Sequence, residues 1–94
     1  IGIAEGIETA LSAAAIFGIP VWSALTAGGL IKWHPPREAK SIMIFGDNDK
    51  SYAGQNAAYG LAYRLKTEGY HVDVRIPDEP GDWNDQLCAR EVAA

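Results

Sequence analysis

Residues 41–49, which read S-I-M-I-F-G-D-N-D, constrain the fold of this chain most. A short apolar run at residues 42–45, bounded by turn-forming residues, is typical of a strand buried on both faces, as in a parallel sheet. Open parallel sheets place their chemistry just beyond the carboxyl ends of the strands, where Asp47 and Asp49 lie. Two carboxylates this close repel each other unless a proton or a cation lies between them. Mg2+ suits a site made only of oxygen ligands.

The rest of the chain alternates between strand-like and helix-like patterns. We predict strands at residues 1–4, 20–25, 42–45 and 70–76, and helices at residues 7–17, 30–33, 51–68 and 83–92. Gly18 and Gly69 are expected to end the first and third helices, and Ser51 is expected to cap the start of the third. Strands that alternate with helices predict an α/β fold with a mostly parallel four-stranded sheet, flanked by helices on both faces.

Size and composition limit the classes of protein to consider. The 94 residues are enough for one small domain, residues 1–94, and because the first residue is Ile1 rather than Met we expect this domain to belong to a longer protein. The formal net charge of -4 does not attract nucleic acid, so contact with DNA or RNA requires a bound metal or a basic neighbouring domain. A single cysteine excludes an internal disulfide and is typical of a reducing, cytoplasmic setting. No apolar run reaches the length of about 20 residues that a membrane-spanning helix needs.

Acidic residues follow three of the four predicted strands. Glu5 follows the first strand, Asp47 and Asp49 follow the third, and Asp82 and Asp85 follow the fourth. Alternation along an extended segment puts Asp47 and Asp49 on the same side, so both can reach one ion. Glu5 is expected to bind a second metal or to act as a general acid or base. The alternative is local chemistry, because aspartate favours turns, and Asp82 and Asp85 are placed to cap the last helix.

Other residues are candidates for contact with phosphate or bases. Gly28 and Gly29, after the second strand, either hold a phosphate with their N–H groups or form a tight turn. Lys32 and Lys50 either contact phosphate or are solvated surface side chains, and the second role is the commoner one. Asp85 is a further candidate for contact with nucleic acid. Packing in the core or at its rim is expected for Trp22. Three aromatic side chains are candidates for stacking on bases, and the last of them is the nearest to the acidic residues: Trp22, Trp33 and Trp83.

Four motifs, in this order, resemble the Toprim domain, a fold shared by bacterial primases, type IA and type II topoisomerases, OLD-type nucleases and RecR-type repair proteins. They are E-G-I-E-T-A-L-S at residues 5–12, W-S-A-L-T-A-G-G-L at residues 22–30, I-F-G-D-N-D at residues 44–49 with Gly54, Ala57 and Ala58 beyond it, and P-G-D-W-N-D at residues 80–85. Each motif is weak alone, but four in order are specific. The resemblance spans nearly the whole chain and is greatest to the Toprim domains of phage- and plasmid-type DNA primases and primase-helicases.

The resemblance implies roles for the acidic residues. Glu5 matches the glutamate that acts as a general base in nucleotide polymerisation or strand joining, and as a general acid in cleavage. Asp47 and Asp49 match the ligands of Mg2+ (or Mn2+), and Asp82 matches an acidic position of the last primase motif. Two positions that are often acidic in primases are not acidic in this chain: Thr9 and Asn84.

The resemblance also implies a function. It is metal-dependent nucleotidyl transfer by a primase-type enzyme, which synthesises RNA primers on single-stranded DNA as part of a full-length protein. The implied partners are the template and the nucleotides, held through the metal, with zinc-ribbon or helicase domains in the same protein and no membrane. Two alternatives stay open. One is a non-catalytic module that binds DNA or a protein partner, as in RecR-type proteins, and the other is an OLD-type nuclease.

Overall fold

The computed structural model describes the backbone of residues 1–93 and the side chains of residues 1–91, so Ala94, the last residue of the predicted domain, lies outside it. Four strands alternate with four helices along the chain, which confirms the predicted order of elements. The strands are β1 (Gly2–Ala4), β2 (Val21–Ser23), β3 (Ser41–Phe45) and β4 (His71–Arg75). The helices are α1 (Ile7–Phe17), α2 (Ala27–Lys32), α3 (Ala53–Thr67) and α4 (Trp83–Ala93).

The four strands form one parallel sheet in the order β2-β1-β3-β4, as predicted for this fold class. From β1 the chain crosses to β2 at one edge, and it then returns to the opposite side of β1 to form β3. This reversal creates a switch point between β1 and β3, and open α/β sheets bind ligands at such points. Ala4 of β1 pairs in register with Phe45 of β3, so the segments that leave these two strands start at the same level.

Helices cover both faces of the sheet, because successive residues of a strand point to opposite faces. On one face, the buried side chains come from α2, α3 and alternate strand positions: Ile3, Leu30, Ile42, Ile44, Leu61 and Leu65. On the other face, they come from α1, α4 and the intervening strand positions: Ala4, Ala10, Ala13, Phe45 and Trp83. In the part of the chain that the structure describes, no helix is both long enough and apolar enough to span a membrane.

Helix α2 begins earlier than the sequence suggested. Its first residue is Ala27 instead of residue 30, because the Thr26 hydroxyl accepts a hydrogen bond of 2.9 Å from the Gly29 amide and caps the helix. Gly28 and Gly29 therefore lie in the first helical turn, which rules out the tight turn, one of the two alternatives for these glycines.

The ends of α1 and α3 depend on residues with positive φ. Gly18 ends α1 at φ 68°, as predicted. Helix α3 starts one residue after Tyr52, which takes φ 60° and is the N-terminal cap in place of the predicted Ser51. At the other end of α3 the cap residue is Glu68, and Gly69 follows it at φ 99°.

Candidate metal centre

The acidic residues that follow three different strands come together around Asp47. Glu5 follows β1, Asp47 and Asp49 follow β3, and Asp82 immediately precedes α4. The pKa of the Asp47 carboxyl is raised to about 6, first by burial and then by the negative charges of Asp82, Glu5 and Asp49, in that order. The structure therefore brings four of the predicted site residues into one electrostatic cluster.

The half-buried Asp47 carboxylate is not fully satisfied by the protein. Its Oδ1 atom is buried and has no hydrogen-bond partner among the described residues. The buried Thr9 side chain offsets part of the rise in the pKa of Asp47, because a hydroxyl group near a carboxylate favours its charged form. A buried carboxylate oxygen without a donor is unfavourable unless it is protonated or bound to a cation.

A small cavity lies beside Asp47. It measures about 10 Å3 and is lined by Glu5, Thr9, Leu30, Phe45, Gly46, Asp47 and Gly54. Such a volume is comparable to the space that one water molecule or one small ion occupies. A wider surface groove of about 330 Å3 reaches the same carboxylates from outside, and it is lined by Glu5, Gly6, Ile7, Glu8, Thr9, Leu25 and Asp47. The site thus combines space for an ion with space for a small ligand.

Asp49 is held by its own loop. Its Oδ2 atom accepts a hydrogen bond of 3.2 Å from the Gly54 amide, and its Oδ1 atom accepts one of 3.3 Å from the Ser51 hydroxyl. These bonds tie the D-N-D loop to the first turn of α3, which is a local role that aspartate commonly takes at helix starts. Each oxygen of an ionised carboxylate has further acceptor capacity, so Asp49 can still contact a cation.

Asp82 and Asp85 cap α4 reciprocally. The Asp85 amide donates to Asp82 Oδ1 at 2.9 Å, and the Asp82 amide donates to Asp85 Oδ2 at 3.0 Å. This arrangement is a capping box, so the helix-capping role considered from the sequence is present in the structure. Asp82 also has the largest charge effect on the pKa of Asp47, whereas Asp85 is not among the charges that raise it. The two residues therefore differ in their relation to the site.

Asn48 joins the loop after β3 to the loop after β4, a role that we did not predict. Its backbone forms an antiparallel bridge with Gly81. Its side chain donates to the Pro77 carbonyl at 2.8 Å and accepts a bond of 3.5 Å from Gln55 Nε2. In the sequence, the central residue of D-N-D signals only a turn, because Pro77 lies 29 residues further along the chain.

Comparison with known families identifies the domain that this architecture and acidic cluster represent. A family profile described as Toprim domain matches residues 1–92. The chain belongs to the Toprim family. Neither the curated proteins nor the solved structures contain a significant match. Toprim membership indicates a metal-dependent function connected with nucleic acid, since Toprim domains occur in nucleotidyl-transfer and nuclease enzymes and typically bind Mg2+ through acidic residues.

The acidic residues of this Toprim domain fit a divalent cation at Asp47. The unpartnered Oδ1 atom and the adjacent cavity provide one ligand and the space for an ion. In the side-chain conformations of this structure, no three His, Cys, Asp or Glu residues within the described ranges are close enough together to hold a metal. A cation at Asp47 would take its remaining ligands from water, or from Glu5, Asp49 or Asp82 after their side chains rotate. Mg2+ commonly keeps several waters in protein sites, so this arrangement is compatible with it.

The residues predicted to contact phosphate lie outside the immediate surroundings of Asp47. Lys50 is exposed directly after the D-N-D loop, and Lys32 is exposed in the last turn of α2. Gly28 and Gly29 lie in the first turn of that helix. Within the described chain, neither these four residues nor Asp85 line the small cavity or the groove. Their contacts with nucleic acid stay predictions.

Two of the tryptophans that were candidates for base stacking have different surroundings. Trp83 is only 9% exposed and packs edge-on against Phe17 and Phe45, with ring centroids 5.2 and 5.9 Å away, so it belongs to the core and is not available for base stacking. Trp22 is 48% exposed and meets Trp33 edge-on at 6.1 Å, so of the core and rim positions expected for it, the structure shows the rim. The reason is that β2 is an edge strand, which neighbouring elements cover less than the central strands.

Proposed function

We propose that this Toprim domain is the catalytic module of a primase-like protein, which joins nucleotides into RNA primers on single-stranded DNA with Mg2+ or Mn2+. The observation that carries the proposal is the Asp47 carboxylate, whose buried Oδ1 atom lacks a partner among the described residues and whose charge is repelled by carboxylates from three loops. Acidic groups that repel one another in the absence of a cation are suited to bind one, and strongly shifted pKa values cluster at functional sites.

In this proposal, Asp47, Asp49 and Asp82 hold the metal and Glu5 transfers a proton. The bound cation would neutralise phosphate oxygens, which allows an acidic domain to hold an anionic substrate. Glu5 lines both the small cavity and the groove beside Asp47. From this position its carboxylate accepts the proton of the attacking hydroxyl group, while the new oxygen–phosphorus bond forms at the α-phosphate and pyrophosphate leaves.

The groove beside the acidic residues provides apolar contacts for a nucleotide. Leu25 and Ile7, at 68% and 59% exposure, lie on its lining next to Glu5. Leu25 takes φ 73°, an unusual value for leucine, and its amide donates to Ser23 Oγ at 3.2 Å. Ser23 in turn donates to the Glu5 carbonyl at 3.1 Å, so the position of Leu25 is linked to the catalytic loop. We assign these apolar side chains to contact with the sugar or base.

The primase-like assignment is supported by the four motifs and their positions. E-G follows β1, W-S-A-L-T-A-G-G-L runs from β2 into α2, D-N-D follows β3, and the P-G-D-W-N-D segment leads into α4. A reaction centre for a template and two nucleotides needs more surface than the groove offers. Zinc-ribbon or helicase domains of the same protein are therefore part of the proposal, as is a cytoplasmic location where DNA is primed.

A non-catalytic Toprim module that binds DNA or a protein partner is the second candidate. The contacts of the acidic residues favour it, because both Asp49 oxygens accept hydrogen bonds from their own loop. Asp82 likewise accepts a hydrogen bond as the cap of α4. In that case Asp49 and Asp82 stabilise the loops. The raised pKa of Asp47 then results from burial and nearby carboxylates and has no catalytic role.

A metal titration followed by amide NMR tests the proposal first. We expect Mg2+ to shift, and Mn2+ to broaden, the amide signals of Glu5, Asp47, Asp49 and Asp82. Asp47→Asn should remove the response. Asp73→Asn, which changes an exposed carboxylate of β4 paired with Arg75 at 2.8 Å, should retain it. Unchanged amides around Asp47 at millimolar metal would favour the binding module.

The reaction itself is tested with the full-length protein, single-stranded DNA and ribonucleotides. We expect incorporation of ribonucleotides into short primers that depends on Mg2+ and is lost in Asp47→Asn. Cleavage of the DNA without incorporation would identify an OLD-type nuclease instead, because such an enzyme uses the same acidic residues to break a phosphodiester bond.

A further inference from the structure

We propose that the outer face of α3 binds single-stranded nucleic acid by stacking bases on its tyrosines. We define this tyrosine face as Tyr52, Asn56, Tyr59 and Tyr63. The proposal rests on the proposed function, since it provides a surface for the strand on which the acidic residues act. It concerns a separate surface, however, and it can be tested without metal.

The tyrosines are exposed to an unusual degree for large aromatic side chains. Tyr52, Tyr59 and Tyr63 are 70%, 57% and 78% exposed, and Asn56 between them is also exposed. Asn56, Tyr59 and Tyr63 are separated by three and four positions, which is the spacing of one helix face, and Tyr52 is the N-terminal cap of the same helix. The buried residues of α3, which face the sheet, alternate with them: Ala57, Ala58, Leu61, Ala62 and Leu65. The tyrosine rings are therefore directed into solvent, along about 16 Å of helix axis.

The tyrosine face is continuous with the acidic site. The Tyr52 amide donates to the Asp49 carbonyl at 3.2 Å, and the Tyr52 carbonyl accepts a bond of 2.8 Å from the Asn56 amide. The face thus begins where the loop that carries Asp47 and Asp49 ends. A single strand of nucleic acid lying on these tyrosines would reach the acidic residues without crossing the β-sheet.

The helices on this side of the sheet carry more positive charge than the helices on the other side. Helices α2 and α3 pack together and contain three basic residues and no acidic ones: Lys32, Arg64 and Lys66. The helices on the opposite face, α1 and α4, contain three acidic residues and one basic one: Glu8, Asp85, Glu91 and Arg90. Arg64 is engaged with Glu68 and with the Ile31 carbonyl, so Lys66 is the exposed basic side chain of α3. The domain is acidic overall, but its negative charge is not evenly distributed.

The chemistry of the tyrosine face favours bases over a protein partner. The exposed neighbours of the tyrosines on α3 are polar or very small: Asn56, Gly60, Lys66 and Thr67. Tyrosine is also common in protein interfaces, but there it belongs to a continuous apolar core, whereas here Asn56 and Gly60 separate the rings. Aromatic rings separated by polar residues and adjacent to a lysine are instead typical of surfaces that stack single-stranded bases without sequence preference.

Fluorescence anisotropy with a labelled oligothymidylate in EDTA tests the proposal on the 94-residue chain. We expect the double variant Tyr59→Ala/Tyr63→Ala to weaken binding about tenfold for each base that loses its stacking partner. Tyr59→Phe/Tyr63→Phe keeps the rings and should bind within about twofold of the wild type. Leu11→Ala, which changes a residue that is 68% exposed on α1, is the control for a general loss of exposed apolar surface and should bind as the wild type does. Circular dichroism should show unchanged folding in all variants.

Three outcomes would overturn the inference. They are no oligonucleotide binding by the wild type, equal binding by the alanine and wild-type proteins, and a change of self-association by the alanine variants without any effect on the oligonucleotide. The last would make the face a protein interface. Binding in EDTA that depends on Tyr59 and Tyr63 would support the inference even if the metal titration at Asp47 failed, so the two proposals fail separately.

Discussion

Asn48 and Gly81 exchange two backbone hydrogen bonds of 2.8 Å each, which form an antiparallel bridge between the loop after β3 and the loop after β4. Asp47 precedes Asn48 and Asp82 follows Gly81, so the bridge holds two carboxylates near each other despite their repulsion. Among the neighbouring charges, Asp82 raises the pKa of Asp47 most. The backbone therefore enforces a proximity that the side chains oppose.

Replacing Asn48 with alanine is expected to loosen this junction. The variant loses the side-chain bond to the Pro77 carbonyl and the contact with Gln55, so we expect the free energy of unfolding to fall by about 1–2 kcal/mol. Mg2+ affinity should fall severalfold, because the two loops supply different ligands. Urea denaturation and the NMR titration measure the two effects. Asn56→Ala makes the same change at an exposed position and should stay within about 0.5 kcal/mol of the wild type. If Asn48→Ala is as stable as the wild type, the backbone bridge alone is sufficient to hold the two loops together.

Alanine substitutions at two glycines of α3 should have opposite effects. At Gly54, a Cβ atom would lie 3.2 Å from the Asp47 carbonyl oxygen and 3.3 Å from the Asp47 amide nitrogen, which β3 and the bridge hold in place. We expect Gly54→Ala to destabilise the domain by about 1 kcal/mol and to weaken metal binding, because α3 must move away from the acidic loop. At Gly60 a Cβ meets nothing within 4 Å, and alanine should stabilise the helix by about 0.5–1 kcal/mol. Thermal unfolding in EDTA compares the stabilities of the two variants. Stabilisation by both substitutions would show that the acidic loop beside Gly54 can accommodate a Cβ atom.

The raised pKa of Asp47 predicts a specific dependence of stability on pH. The folded protein holds the proton up to about pH 6, whereas the unfolded chain releases it near pH 3.8, so the metal-free domain should lose stability as the pH rises through this window. Asp47→Asn should therefore stabilise the metal-free domain at pH 7, by about 1 kcal/mol, since solvent screens this half-buried group. Asp73→Asn should show no such gain. Added Mg2+ should raise the melting temperature of the wild type and leave that of Asp47→Asn unchanged. A wild-type stability that is constant from pH 4 to pH 7 would contradict the repulsion that we describe.

Glu5→Gln should remove activity without unfolding the protein. The amide keeps the size of the side chain but cannot accept the proton, so we expect primer synthesis by the full-length protein to fall about 100-fold or more. Glu8→Gln is the matched control, because Glu8 is exposed on the same groove and is not among the charges that raise the pKa of Asp47. Initial rates at saturating nucleotide separate a loss of the chemical step from a loss of binding. An unfolded Glu5→Gln protein, or equal losses in both variants, would show that Glu5 does not have the catalytic role.

The strands were predictable because each one carries a local signal. The continuous apolar run at residues 42–45 corresponds to β3, which is covered on both faces. The other three strands also carry local sequence signals. The start of α2 was not predictable in this way, since Gly28 and Gly29 each disfavour a helix by about 1 kcal/mol. The Thr26 cap and the burial of Leu30 against the core outweigh that preference.

The candidate site was predictable only in part. The topology of a parallel sheet brings the segments after β1 and β3 together, so a cluster of Glu5 and Asp47 follows from the order of the strands. The bridge from Asn48 to Gly81 and the approach of Thr9 to Asp47 depend on how α1 and α4 pack, and no local spacing signals them. The same packing buries Trp83, which its polar neighbours in the sequence do not suggest.

The central position of β1 determines when the acidic cluster can form during synthesis of the protein. Of the four strands, β1 is synthesised first, and it pairs with β3 on its inner side, where Gly2 lies opposite Met43. Glu5 therefore leaves the ribosome long before β3 is synthesised. Asp82 follows later still, after β4. A nascent chain therefore carries Glu5, the D-N-D loop and Asp82 in separate segments, and the full repulsion at Asp47 arises only when the last loop docks. Binding of a cation at Asp47 with its full set of neighbours is thus a property of the completed domain alone.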